Sequence, residues 1–272
     1  MSAAPRQGRG DSRAKRDPGP ASSEPAVSPT GAATGGGSGI GSAQPPPALE
    51  AATTDQPAAR MALAAALAAP SHAYLLTGPR GAGKRAAARA FAAELLAAGA
   101  PDPDDARRRA SADPSPHPDL VWLRPPGNQH LVDEVRGRVI AGAAYRPFEG
   151  ERRVFVIEAA DAMADESQNA LLKTLEEPPA YAHLILVSSE PEALLETVRS
   201  RCQPVRFAPL APRLLEARLE RGAPEADAGE RRAAARLAGG DADRALFLLR
   251  SEGSELREAA IALVGAARDD RL

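Results

Sequence analysis

Gly78, Gly81 and Gly83, with Lys84 directly after them, fit the spacing G-x-x-x-x-G-K of a phosphate-binding loop. Glycine lets the backbone turn its N–H groups toward an anion, and a helix beginning at the loop's end adds its positive N-terminus. Lys84 would reach the β- and γ-phosphates of a nucleotide. The next position normally carries Ser or Thr, whose hydroxyl coordinates Mg²⁺. Here it is Arg85, a guanidinium with no acceptor lone pair that repels a cation. The pattern predicts a loop that keeps its shape and loses its metal chemistry. ATP or ADP binding stays open, magnesium is disfavoured, and Arg85 either pairs with a phosphate or fills the metal's place.

A second acidic motif carries matching damage. Val154 to Ile157 form an apolar run with carboxylates after it, at Glu158 and Asp161. In α/β proteins such strand ends carry the chemistry. The first acid of this motif positions a metal and the second orients or activates water. Glu158 takes the first position, one methylene longer than the usual Asp. Ala159 takes the second, and a methyl group neither accepts a proton nor orients water. Hydrolysis at this site is therefore expected to be very slow.

These residues need a frame. Ala73–Thr77, 119–123, Arg153–Ile157, 184–188 and 205–207 read as short buried strands. Between them helices are expected at 61–69, 84–98, 132–144 and Asp165–Glu176, with 99–118 read as a loop. Alternating strands and helices predict a parallel sheet covered on both faces. After Pro209 the pattern turns helical, at 211–221, 229–238 and 241–250. The reading divides the chain into a Pro/Gly/Ala/Ser-rich disordered tail (1–55), an α/β P-loop domain (56–209), a helical lid (210–252) and a terminal helix (253–272).

Composition narrows the classes. Hydrophobic residues are 43% of the 272 and aromatics 3%, and the net charge is −2, so no global field draws the chain to nucleic acid. One cysteine, Cys202, excludes an internal disulfide and a Cys-rich zinc site. No apolar stretch has the length of a membrane span, and no h-region follows the charged N-terminus, so the expectation is a cytoplasmic protein without membrane partners. Lysine occurs only at Lys15, Lys84 and Lys173, which marks Lys84 and Lys173 in a chain that otherwise chooses arginine.

Lys173 lies in Asn169–Pro179, NALLKTLEEPP, a string that closely resembles a signature of bacterial clamp-loader subunits of the AAA+ class, the gamma/tau and delta-prime proteins of DNA polymerase III. The order of HAYLLTGPRGAGK, HPDLVWLRP, VDEVR and LILVSSEPEALLETVRSRCQPVRF agrees, from about residue 58 to 250. The resemblance implies an AAA+ sheet with a helical lid. It places sensor 1 at Ser188 or Ser189, and an arginine finger at Arg201 that acts on a neighbouring subunit's ATP. It also places sensor 2 at Arg244. It implies gamma/tau and delta subunits, a sliding clamp and primed DNA as partners, within a DNA-directed DNA polymerase holoenzyme. Three departures stand out: no zinc module between the P-loop and His117, room for only about one helix of a C-terminal collar, and the N-terminal tail. The damaged motifs favour a delta-prime-like, inert subunit. An active gamma/tau-type ATPase that tolerates Arg85 and Ala159 is the competing reading, and a small-molecule P-loop kinase is a third.

Overall fold

The computed structural model describes residues 44–250 and, within 253–263, all but 254 and 257. Pro47 and Pro57 sit in the first turns of α1 (Pro47–Ala52) and α2 (Pro57–Ala68), where a missing N–H costs nothing. Then follow β1 (Ala73–Thr77), α3 (Lys84–Ala97), α4 (Pro103–Ser111) and β2 (Leu120–Leu123). α5 spans 132–143 and contains a π-helical stretch, Val135–Ile140. β3 (Arg153–Ile157), α6 (Asp165–Glu176), β4 (Ala182–Ser188), α7 (Glu196–Arg199) and β5 (Gln203–Arg206) complete the α/β part.

All strands pair in parallel, in the order β2-β3-β4-β1-β5. Side chains alternate along each strand and so build two cores. Tyr74, Leu76, Val154, Val156, Ile185 and Val187 face α1–α3. Leu75, Phe155, Ile157, Leu184 and Leu186 face α5, α6 and α7. α3 is buried along most of its length, and its alanines let it lie close on the sheet, with Phe91 edge-on to Tyr74 at 4.8 Å.

Three helices form the lid: α8 (Pro212–Gly222), α9 (Ala228–Leu237) and α10 (Ala242–Leu249). They close a separate small core around Leu215, Leu219, Ala234, Ala245 and Leu248. A capping box, Asp227 with Glu230, starts α9.

The frame differs from expectation in three places. The tail does not reach residue 55: Leu49 on α1 is fully buried and Thr53 is buried behind it. Residues 1–43 lie outside the described ones. The expected loop 99–118 contains α4, whose Asp102 accepts from the N–H groups of Asp104 and Asp105. Ala106 and Ala110 on α4 are buried, and its Arg107 pairs with Glu94 of α3 at 2.8 Å. Of the terminal stretch, 253, 255, 256 and 258–263 are helical, and 264–272 lie outside the description. Among the described residues no helix is long and apolar enough to cross a membrane.

Candidate functional site

β1 ends at Thr77, and the chain turns through Gly78 (φ +142°), Gly81 (+68°) and Gly83 (+100°) into α3. A Cβ on Gly78 would lie 2.3 Å from the Phe207 carbonyl oxygen. One on Gly81 would lie 2.6 Å from Ala242 Cβ and 2.7 Å from the Asp243 nitrogen. Both glycines are thus required by contact as well as by φ. Gly83 caps α3 without a side-chain hydrogen bond, which leaves the helix's first N–H donors for an anion.

Lys84 Nζ donates to the carbonyls of Gly78 (2.5 Å) and Pro79 (2.6 Å) and to Ser189 Oγ (3.2 Å). Burial of the ammonium lowers its pKa to about 8, against the pull of Asp161, Asp241 and Asp243.

Beside the loop, Arg85, Arg89 and Arg124 form a network with Asp113 and Glu158. Arg85 pairs with Asp113 at 2.7 Å and with Glu158 Oε2 at 3.4 Å. That same Oε2 accepts from Arg124 Nε (3.0 Å) and Trp122 Nε1 (2.9 Å). Arg124 also grips both oxygens of Asp113 (2.8 and 2.7 Å), and its hydrogen bonds hold that carboxyl below the usual range. Arg89 adds a 3.2 Å pair to Asp113 and stacks 4.2 Å from the Trp122 ring. Glu158 Oε2 is thus shared by Arg85, Arg124 and Trp122. Ala159 offers only a methyl, in a left-handed turn (φ +51°).

Asp161 also lines the cleft. Burial raises its pKa, but the Ser188 hydroxyl and the Ser189 N–H (2.9 Å) outweigh that and hold it below the usual range. Through these bonds it braces the end of β4. Of the two sensor 1 candidates, Ser188 is buried against Asp161, and Ser189 lines the cleft and reaches Lys84.

The cleft over the loop measures about 940 Å³. Its charged lining is four cations (Arg80, Lys84, Arg85, Arg89) and four carboxylates (Glu158, Asp161, Glu190, Asp243). These formal charges cancel, which leaves the loop's N–H groups and the N-terminus of α3 as the local attraction for a phosphate. The loop's backbone N–H groups and Lys84 are the groups here whose chemistry suits a phosphate.

The lid meets this loop directly. Arg218 of α8 donates to the Gly81 carbonyl (2.7 Å) and pairs with Asp55 (3.1 Å). Gln56 bridges the Ala82 carbonyl (3.2 Å) and both backbone groups of Ala208 (2.9 Å each). Neither residue carried a signal in the sequence: Arg218 is one arginine among many, and Gln56 lay at the expected edge of a tail. Arg244 is exposed and does not line the cleft; its neighbour Asp243 does.

Arg201 stands apart from the cleft, between α7 and β5. It donates to the Thr197 carbonyl (2.9 Å) and pairs with Glu176 at 2.6 Å. Next to it Cys202 is buried, its thiol pushed up to about 12, and so acts as an inert anchor.

A parallel sheet of this order, with a phosphate loop after β1, an acidic end on β3, a polar end on β4 and a helical lid on the loop, defines a P-loop protein of the AAA+ class. Residues 55–211, more than half of the chain, match the family described as DNA polymerase III, delta subunit, and the chain belongs to that family.

Relatives agree. The chain is 43% identical over 142 residues to DNA polymerase III subunit delta' of Pseudomonas aeruginosa, covering 48% of this chain and 42% of that protein. It is 34% identical over 151 residues to the Bacillus subtilis delta' subunit, covering 55% and 46%. It is 36% identical over 166 residues to the gamma/tau subunit of Mycobacterium bovis, covering 56% and 27%. The matches thus span less than half the length of each of these relatives. Among solved structures, a gamma subunit-related protein of Thermotoga maritima is similar at a TM-score of 0.42 and 22% identity, over 63% of this chain and 55% of that one.

Proposed function

We propose that this chain is a clamp-loader subunit of the delta-prime kind, whose own phosphate loop does not turn over ATP and which presents Arg201 to ATP held by an adjacent gamma/tau-type subunit. In this reading it assembles with gamma/tau and delta subunits in DNA replication, and the complex places a sliding clamp on primed DNA. The observation that carries the inert half is the Arg85 network: Glu158 is occupied by Arg85, Arg124 and Trp122. Ala159 supplies no base. ATP or ADP would be held by the loop backbone and Lys84, without magnesium. Zinc has no place in the reading.

The donor half is supported by Arg201's position outside the chain's own cleft, on a partly exposed edge. A delocalised cation there can stabilise charge on a phosphoryl group in trans. The same network disfavours an active gamma/tau-type ATPase and a small-molecule kinase, since both need a working metal site.

An ATP turnover assay on the isolated chain tests the inert half. The expected result is no magnesium-dependent hydrolysis above background, and turnover at ordinary AAA+ rates would sink it. The donor half is tested in a loader reconstituted with gamma/tau and delta subunits. There, Arg201→Ala is expected to lower ATP turnover by several orders of magnitude at the dependent site.

A further inference from the structure

We infer that Glu176, the last residue of α6 in the NALLKTLEEPP segment, is a positioning residue for Arg201. The inference rests on the proposed role of Arg201 and goes beyond it, giving the segment a physical task that a helix with an apolar face does not explain. α6 buries Leu171 and Leu175 in the core beneath the sheet, so its C-terminal end is fixed. Arg201 is anchored from the other side: Val198 and Cys202, flanking it in sequence, are buried in that same core.

Between these fixed points the guanidinium is held at two edges, by Glu176 Oε1 at 2.6 Å and by the Thr197 carbonyl at 2.9 Å. An arginine side chain loses substantial rotamer freedom when it takes one geometry, and a planar fork held in advance loses less of it on meeting a phosphate. Glu176 and Thr197 engage Nη2 and Nη1, and the remaining N–H groups stay available to an anion. Since the pair is only partly buried, its loss should not unfold the chain.

The test uses the full chain in a loader reconstituted with gamma/tau and delta subunits. Glu176→Ala is expected to lower kcat for ATP about tenfold with KM unchanged, the pattern of a misplaced transition-state contact. Glu176→Gln, which keeps the shape and an acceptor, is expected to recover part of that loss. If Arg201→Ala lowers turnover while Glu176→Ala leaves it unchanged or raises it, the positioning role is overturned and the donor role stands. If Arg201→Ala itself changes nothing, the donor role falls and the inference falls with it. A second measurement needs no partner: ¹⁵N NMR of the isolated chain should show restricted rotation of the Arg201 guanidinium in the wild type and free rotation in Glu176→Ala. Free rotation in both overturns the inference.

Discussion

Arg85 ties the start of α3 to the end of β3 through its pair with Glu158. The tie is a set of ion pairs near the surface, with Arg85 about half exposed (49%). Such pairs contribute roughly 0–1 kcal/mol each. With two such pairs, Arg85→Thr should therefore change urea-unfolding stability by at most about 2 kcal/mol. It should still not restore turnover, because Arg124 and Trp122 keep Glu158 and Ala159 stays inert. Lys84 gives a pH signature. Unfolded, it would hold its proton to about 10.5; folded, burial lowers that to about 8. Between these values the unfolded chain binds the extra proton, so the stability from this group rises as pH climbs from 8 toward 10.5. Denaturation across that range should show the rise in the wild type, and Lys84→Met should flatten it.

At the scale of elements, the loop and lid act as one joint. Gly81 fits under the N-terminus of α10, and Arg218 of α8 holds its carbonyl. Gly81→Ala meets both a positive φ and the α10 backbone, and should cost at least about 2 kcal/mol in urea unfolding. Gly83→Ala has nothing nearer than 3.6 Å and should cost only its backbone strain, about 1 kcal/mol. Equal losses would mean that the lid contact carries no energy. Four strands were legible because each carries a β-branched or leucine run bounded by turn residues; the last, expected at 205–207, spans Gln203–Arg206, where Val205 is the one apolar aliphatic besides Pro204. α4 was not, since its Pro and Asp read as loop signals. Asp102 and Pro103 are in fact cap and first turn, and the burial of Ala106 and Ala110, invisible in a polar string, selects the helix.

For the whole molecule, the fold begins before residue 55. Leu49 sits in the core with α2 and α3, and the Thr53 hydroxyl donates to its carbonyl at 2.6 Å. A chain starting at residue 54 should be less stable than one starting at 44 by about 2–4 kcal/mol, the cost of removing one buried leucine and its neighbours. Differential scanning calorimetry of the two truncations checks this, and equal melting temperatures would show that α1 is dispensable.

The sequence alone determined the sheet, the phosphate loop and the departures from its usual pattern at Arg85, Glu158 and Ala159, because these depend on local spacing and on chemistry intrinsic to each side chain. Tertiary structure decided what those positions meet. The partners of Arg85 come from residues 28 and 73 positions away, Asp113 and Glu158, and Arg218 reaches Gly81 across 137. Arginines on a helix surface look alike in a string; only folding chooses which carboxylate or carbonyl each one meets.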